Sequence, residues 1–345
     1  MDPSSEVLLD LEFSCIYKDH HVDRIVGTET VPAGADAKTG VVSKDVVIGD
    51  DSDVYVRLYL PGGIRADDVD APKLRVLVFF HGGGFITMSA AEPLYHSYIN
   101  SLAAAAGVLV ISVNYRLAPE HPFPIGYEQG LRQAALPFFT SSALVYCGWR
   151  CSADSFRALK WALAGEDPWL SQHGDLRRVF LAGDSAGGNI VHNVAMMAVA
   201  DEGSGVASRI EGAVLLHAAF GGKERVAGES VETAWTMDTL WSVICPEATD
   251  GVDDPRVNPL SATAPSLREL PFQRLLVVEA DGDFFWGRGK SYYEGVLASG
   301  WAGTVDWFET MGKHTFFLFD PSCPEAVALM DRLTAFFAGN RMRGG

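Results

Sequence analysis

The residues Gly183-Asp184-Ser185-Ala186-Gly187 are the strongest indication of both fold and chemistry in this sequence. The apolar run Val179–Ala182 before it predicts a buried strand, and the segment 188–193 after it is typical of a helix start. Glycines on both sides of a serine permit a sharp strand-to-helix turn, because a Cβ there would collide with neighbouring backbone. Such a turn presents the serine hydroxyl at the strand end, beside helix N–H groups that favour a developing anion. The pattern predicts a nucleophilic serine.

The composition predicts a globular protein with small-molecule partners. The chain has 345 residues, of which 48% are hydrophobic, and its net charge is -17, which disfavours nucleic acid and anionic membranes. Its five cysteines are scattered and odd in number, which indicates free thiols in a reducing compartment. The first residues carry neither a basic stretch nor an apolar signal core, and the small-apolar run near Leu102–Val113 is too short to span a bilayer. We therefore expect a cytoplasmic protein.

Hydrophobic periodicity predicts the order of elements. Apolar residues over Glu6–Tyr17 have near-helical spacing and predict an amphipathic N-terminal helix, while Val46–Ile48 and Val54–Leu60 predict an antiparallel hairpin. Helices are expected at Tyr95–Ala106 and Ala326–Phe337. The predicted buried strands are Val76–Phe80, Val108–Val113, Val179–Ala182, Ala213–Leu216, Leu275–Val278 and, late in the chain, Thr304–Glu309. This alternation predicts an α/β fold whose mostly parallel sheet is covered by helices on both faces, with ligands at the carboxyl ends of the strands.

A serine hydroxyl needs a base, and the base needs an orienting acid. His314 follows the last predicted strand and is the best base in the order Ser–Asp–His; the other late histidine, His217, is expected to line the sheet. Asp281 and Asp283 follow the strand Leu275–Val278, and both are possible acids. Either of them could equally be a turn or helix-cap residue.

A second glycine-rich loop supplies the expected donors for an oxyanion. The stretch His81-Gly82-Gly83-Gly84-Phe85 follows the strand Val76–Phe80, about a hundred residues before the serine. Its backbone can approach a substrate oxygen closely, so Gly83 and Gly84 are predicted to donate N–H groups together with Ala186.

Several motifs resemble a known family. The stretches His81–Gly84, Tyr115–Pro124 and Gly183–Asn189 resemble the hormone-sensitive-lipase-like branch of the α/β-hydrolases. Five further stretches narrow the resemblance to plant carboxylesterases, over almost the whole chain: Ile16–Asp19, Val42–Val47, Asp283–Phe285, Arg288-Gly289 and Ser299–Gly303. The resemblance implies a single α/β-hydrolase domain over 1–345, with a helical cap from about 1–40 and about 220–260. It also implies Asp283 as the acid and His314 as the base.

The family includes three behaviours. Most members hydrolyse carboxylic esters, some eliminate instead (2-hydroxyisoflavanone dehydratase and the tuliposide-converting enzymes), and the gibberellin receptor binds a hormone and lacks the histidine. Since Ser185, Asp283 and His314 are all present here, we expect a serine carboxylesterase that forms an acyl-enzyme on Ser185. A lyase and a non-catalytic receptor are the alternatives.

The remaining expectations concern ligands. Substrate contacts are predicted at His81, Phe85, Asp184, Trp235 and Trp241, although Trp residues at helical spacing more often belong to a core. Zinc is not expected, because no second ligand pair accompanies the neighbouring cysteines 147 and 151. The serine mechanism itself needs neither a metal nor a cofactor. The sequence leaves the natural ester and the oligomeric state open.

One segment departs from the family. Relatives continue from a Tyr-Glu-Asp-Ser stretch directly into a helix, whereas here residues 129–153 separate Glu128 from Asp154. Two explanations are open: a natural loop that extends a wall or a partner surface, and a translated intron or other gene-model error. The apolar character of the insertion, which would be an aggregation liability on a surface, favours the second.

Overall fold

The computed structural model describes residues 6–49, 53–68, 71–121 and 150–339. Their strands are β1 (Val7–Leu11), β2 (Ser14–Tyr17), β3 (Val22–Arg24), β4 (Val42–Val47), β5 (Tyr55–Leu60), β6 (Leu74–Phe80), β7 (Leu109–Asn114), β8 (Gly174–Asp184), β9 (Ile210–Leu216), β10 (Arg274–Ala280) and β11 (Thr304–Thr310). Their helices are α1 (Pro93–Ala106), α2 (Arg150–Ala164), α3 (Pro168–His173), α4 (Ala186–Ala200), α5 (Val231–Ile244), α6 (Trp286–Ala298), α7 (Phe316–Phe319) and α8 (Pro324–Ala338).

Eight strands form the central sheet, in the order β11-β10-β9-β8-β6-β7-β5-β4. Strands β6 to β11 pair in parallel, while β4 and β5 form the antiparallel hairpin that the sequence predicts. The mostly parallel sheet is therefore confirmed. Strand β9 lies between β8 and β10, so the loops that leave these three strands meet at one edge of the sheet.

Side chains of the sheet alternate between two apolar cores. Val76, Val78 and Phe80 of β6 join a core that also holds residues of α2, α4 and α6. Leu77 and Phe79 enter the opposite core, which holds residues of α1, α7 and α8. Helices bury both faces of the sheet, which explains why the central strands β6, β7, β9 and β10 are nearly continuous apolar runs.

The predicted N-terminal helix over Glu6–Tyr17 is wrong. The segment forms β1 and β2, which pair with β3 as a separate three-stranded antiparallel sheet. A tight turn at Glu12-Phe13 lies between the strands, and Leu11 pairs with Ser14. Two short alternating runs joined by a turn produce an apolar spacing that imitates helical periodicity.

The N-terminal sheet is anchored beside the predicted oxyanion loop. The Arg24 guanidinium donates to the backbone oxygens of Ile86 and Ala118, at 2.5 and 3.2 Å, and to both carboxylate oxygens of Glu120, each at 2.7 Å. Strand β1 also packs against α5, the helix of the 220–260 segment. The two parts of the expected cap are thus in contact, but the first part is strands rather than helix.

Most of the atypical insertion, residues 129–149, lies outside the described residues. Its last four residues belong to α2, which begins at Arg150 rather than at Asp154. Cys151 and Ser152 are buried there, and the Cys151 thiol lies 3.1 Å from the Arg116 carbonyl oxygen. In the part of the chain that the structure describes, no helix is both long and apolar enough to cross a membrane.

Candidate active site

The Ser185 turn joins β8 to α4. Ser185 adopts a positive φ of 52°, a strained conformation for a residue with a side chain, and immediately precedes the first turn of α4. A Cβ on Gly187 would overlap the Phe80 carbonyl oxygen of β6, so only glycine fits this crossing. The predicted strand–turn–helix arrangement is present. Glycine follows the serine turn at the position where the backbones of β6 and α4 approach closely.

Ser185, His314 and Asp283 form one chain of hydrogen bonds. The Ser185 Oγ lies 2.9 Å from His314 Nε2, and His314 Nδ1 lies 2.7 Å from Asp283 Oδ2. With Nδ1–H donated to the carboxylate, Nε2 is left as the acceptor for the serine proton. The Asp283 side chain is fully buried, whereas that of His314 is 18% exposed. The geometry suits transfer of a proton from the serine to the histidine.

Asp283 is held as a buried carboxylate by several donors. Burial alone would raise its pKa, but the charge of His314 and the hydrogen bonds from His217 and His314 lower the pKa well below its usual range. The Phe285 N–H donates to the second oxygen, Oδ1, at 2.7 Å. Asp281, the other sequence candidate, is exposed and accepts the Gly312 N–H at 3.1 Å, as expected of a turn residue.

His217 is a site residue that the sequence analysis missed. It follows β9, is fully buried, and its Nδ1 lies 2.5 Å from the same Asp283 oxygen that His314 contacts. The signal that could have found it is its position directly after the strand β9. In the sheet, β9 lies between β8, which leads to Ser185, and β10, which leads to Asp283. Strand order is a property of the folded sheet, so the sequence alone did not reveal this neighbourhood.

Tyr95 and Asp184 fix the glycine loop after β6 by hydrogen bonds. The Tyr95 hydroxyl donates to Asp184 Oδ2 at 2.7 Å and accepts the Gly82 N–H at 2.7 Å. The same N–H lies 3.2 Å from Asp184 Oδ1. Burial raises the pKa of Asp184 to about 6. Asp184, predicted as a substrate contact, is therefore buried beneath the loop and supports it.

Three backbone N–H groups remain available around Ser185. Within the described residues, those of Gly83, Gly84 and Ala186 donate to no backbone or side-chain acceptor. Gly83 and Gly84 have positive φ values of 102° and 60°, which glycine adopts without strain. Ala186 is the first residue of α4, where N–H groups lack partners within the helix. These are the donors that the sequence predicts for an oxyanion.

The other predicted substrate contacts divide into buried and exposed residues. His81 is fully buried and stacks on Tyr115 at 4.2 Å between ring centroids, and burial lowers the pKa of its imidazole to about 4. Phe85 is buried with its ring 6.4 Å from that of Trp241, also buried, in an edge contact. Trp235 is 55% exposed. The structure brings Phe85 and Trp241 together and leaves Trp235 at the surface.

Among the described residues, one group has the proximity of metal ligands: His217, Asp283 and His314. Their nitrogen–oxygen distances of 2.5 and 2.7 Å are hydrogen-bond lengths. Two ligands of one zinc ion, each about 2.0 to 2.2 Å from it at tetrahedral angles, lie farther apart than this. In this arrangement the three side chains are held together by hydrogen bonds.

A cavity of about 590 Å³ lies beside the segment that follows β9. Phe220, Lys223, Asp253, Arg288 and Tyr292 are among its lining residues. Ser185, Asp283 and His314 do not line it.

Comparison with known proteins places this site in a family. Residues 77–318 match the family model described as the alpha/beta hydrolase fold. Tuliposide A-converting enzyme 1 of Tulipa gesneriana is 41% identical over 338 residues, which are 97% of this chain and 79% of that protein. Probable carboxylesterase 2 of Arabidopsis thaliana is 35% identical over 329 residues, which are 94% of each chain.

Solved structures agree on the fold. An esterase from Pyrobaculum calidifontis aligns with a TM-score of 0.64 at 24% identity and covers 87% of this chain and 84% of that one. At this identity the likeness concerns the fold alone. The family model and the relatives of higher identity show that this chain belongs to the plant carboxylesterase family of the α/β-hydrolases.

Proposed function

We propose that Ser185 is the nucleophile of this serine ester hydrolase and carries the acyl group between the two halves of the reaction. His314 takes the Ser185 proton as the oxygen attacks the ester carbonyl, and then gives that proton to the departing alcohol. Water attacks the acyl-enzyme with His314 again as base, and the carboxylic acid leaves. Asp283 holds the imidazole in the tautomer with Nδ1 protonated and stabilises the imidazolium that forms.

The N–H groups of Gly83, Gly84 and Ala186 are proposed to bind the oxyanion. Charge develops on the carbonyl oxygen only as the tetrahedral intermediate forms, so donors fixed beforehand favour the transition state over the ground state. Tyr95 and Asp184 hold the Gly82 peptide that precedes two of these donors.

The observation that carries the proposal is the unbroken chain from Ser185 Oγ through His314 to Asp283, at 2.9 and 2.7 Å. A binding protein does not require a base within reach of a serine hydroxyl. The carboxylesterase-named relative at 35% identity supports ester hydrolysis as the reaction.

The test is a Ser185→Ala variant assayed on p-nitrophenyl acetate and p-nitrophenyl butyrate. Loss of the nucleophile is expected to lower kcat by about a thousandfold or more, with an unchanged melting temperature. Ser208→Ala, at an exposed serine far along the chain from the turn, is the matched control. Full turnover by Ser185→Ala would refute the mechanism.

A lyase reaction is the second candidate, favoured by the 41% identity to a tuliposide A-converting enzyme. In this alternative His314 removes the proton from the carbon between a ketone and the ester-bearing carbon, the oxyanion donors stabilise the enolate that develops on the ketone, and the carboxylate leaves from the neighbouring carbon without an acyl-enzyme. Turnover of a β-acyloxy ketone in ¹⁸O-labelled water separates the two. Hydrolysis through Ser185 places one labelled oxygen in the released acid, and elimination places none.

For substrate and compartment, we propose a neutral or apolar small ester and a reducing compartment. The net charge of -17 disfavours nucleic acid as a partner. The described cysteines, Cys15, Cys151, Cys245 and Cys323, are free thiols. The cytosol and the plastid stroma both fit, since the names of the tulip relatives place those proteins in chloroplasts and amyloplasts. A fluorescent fusion of the full-length protein in leaf cells distinguishes the two.

A further inference from the structure

We propose that His217 is a positioning residue for the reaction: it donates a hydrogen bond to Asp283 and so keeps the carboxylate aimed at His314. This inference rests on the proposed function, because it concerns the same three reacting residues. His217 acts through Asp283, whose Oδ2 lies 2.5 Å from the imidazole Nδ1.

The backbone around His217 is fixed at the carboxyl end of the central strand β9. Its N–H donates to the Val278 carbonyl oxygen of β10 at 2.9 Å, and its φ of 51° is a strained value for a residue with a side chain. Such strain persists where the surrounding structure holds it, and it concentrates at functional sites. This backbone conformation places the fully buried His217 imidazole against Asp283.

Two histidines, His217 and His314, contact the same carboxylate oxygen of Asp283. His217 Nδ1 lies 2.5 Å from Asp283 Oδ2, and His314 Nδ1 lies 2.7 Å from the same atom. The other oxygen, Oδ1, accepts the Phe285 N–H. Asp283 therefore has three donors, and His217 is one of the two that fix the oxygen facing the base.

The contacts of His217 also decide its tautomer. The Thr315 N–H points at the same Nδ1 at 3.1 Å, so Thr315 requires an acceptor there while an ionised Asp283 requires a donor. The shorter contact with a charged group dominates, so Nδ1 carries the hydrogen. Among the described residues, Nε2 has no hydrogen-bond partner and is buried, which favours an unprotonated Nε2. Burial likewise lowers the pKa of His217.

A neutral Nδ1–H donor stabilises Asp283 without adding charge to the site. The bond restricts rotation of the carboxylate, so that Oδ2 stays in line with His314 Nδ1. It also draws charge away from Oδ2. The nearby ionisable groups are His314, Asp184 beneath the serine turn, and Glu279 on β10.

The test compares two substitutions of similar size. Asn places an amide N–H close to the position of Nδ1 and tolerates a positive φ, whereas Leu offers no donor. His217→Leu is expected to lower kcat on p-nitrophenyl acetate by about 10- to 100-fold, the effect of one hydrogen bond to a charged group, with KM changed less than about threefold. His217→Asn is expected to retain kcat within about fivefold.

A second variant keeps the test decisive if His217→Leu does not fold. Gln has the same amide as Asn but carries it one methylene farther, near the place of Nε2, so His217→Gln is expected to lose kcat as Leu does. Melting temperatures of all variants identify any loss of fold. In ¹⁵N-histidine-labelled protein we expect two far-downfield imidazole N–H resonances, of which His217→Asn removes one and retains that of His314.

The outcomes separate this inference from the proposed function. Equal losses of kcat in the Asn, Gln and Leu variants would overturn it, because packing alone would then explain them. Full activity of His217→Leu beside an inactive Ser185→Ala would refute the role of His217 and leave the nucleophile intact. Turnover by Ser185→Ala would refute both.

Discussion

Two acidic side chains close together in sequence have opposite environments. Asp283 is buried among three donors, which hold its pKa well below the usual range. Glu279, on β10 four residues earlier, is also fully buried, but among the described residues neither of its carboxyl oxygens has a hydrogen-bond partner. Burial, followed by the charges of Asp283 and Glu309, raises its pKa well above the ordinary value of 4.5. Within the same part of the fold, the surroundings thus favour the ionised form of Asp283 and the protonated form of Glu279.

The protonated Glu279 predicts a pH-dependent stability. An acid whose pKa is raised by folding stabilises the native state fully below its unfolded pKa of 4.5, and this contribution is lost as pH rises toward the folded value. Glu279→Gln fixes a neutral side chain of the same shape. We expect its melting temperature, relative to that of the parent protein, to rise as the pH increases above the unfolded pKa of 4.5.

Thermal melts at several pH values check this prediction, with Glu269→Gln, at an exposed glutamate, as the control. The control should follow the parent protein at each pH. A constant difference between Glu279→Gln and the parent would contradict a buried, protonated Glu279.

At the scale of elements, the N-terminal sheet supplies a wall for the site. Two ring atoms of Phe13, in the turn between β1 and β2, lie 3.3 and 3.4 Å from where a Cβ on Gly84 would stand. Arg24 fixes the same sheet to the segment around Ile86 and Ala118. The first strands therefore cover the loop that carries two of the proposed oxyanion donors.

This contact predicts a change in specificity. Phe13→Ala removes apolar surface beside the loop, so KM for p-nitrophenyl hexanoate is expected to rise by about 5- to 10-fold, while kcat for the acetate stays within about twofold. Steady-state kinetics on both esters measures the effect. Val7→Ala, at an exposed residue of the same sheet, should change neither value. Equal changes for the two esters would mean that Phe13 does not contact the acyl group.

The central elements could be predicted because their signals are local. Strands β6, β7, β9 and β10 and the second half of β8 are apolar runs, and the serine turn has glycines where the backbones of β6 and α4 touch. The N-terminal strands could not be told from a helix, because a turn at Glu12-Phe13 reproduces helical spacing. His217 and Tyr95 were missed for another reason: their partners, Asp283 and Asp184, are distant in sequence and adjacent only through the order of the strands.

At the scale of the whole molecule, the segment 129–153 remains the departure from the family. Residues 129–149 lie outside the described residues, and Cys151 and Ser152 are packed into α2. If the insertion is a gene-model error, the true chain joins Glu128 directly to Asp154. The residues that end at Glu128 would then precede the helix in place of residues 150–153.

We predict that a chain lacking residues 129–153 is expressed with a higher soluble yield and an unchanged kcat/KM on p-nitrophenyl acetate, because an apolar insertion is removed. A chain lacking only 129–149 is the matched comparison, since it keeps the buried Cys151. Transcript reads that join the codons of Glu128 and Asp154 would support a gene-model error. Continuous coverage of the inserted codons, with an inactive shorter chain, would establish the insertion as part of the protein.

The most direct test of the central claim is to trap the acyl-enzyme. The protein is mixed with p-nitrophenyl butyrate, quenched in acid within the first turnover, and analysed by intact mass and peptide mapping. We expect a butyryl adduct on the peptide that contains Ser185, which decays at the rate of product release and is absent from Ser185→Ala. Turnover without an adduct, or an adduct on another residue, would contradict the account.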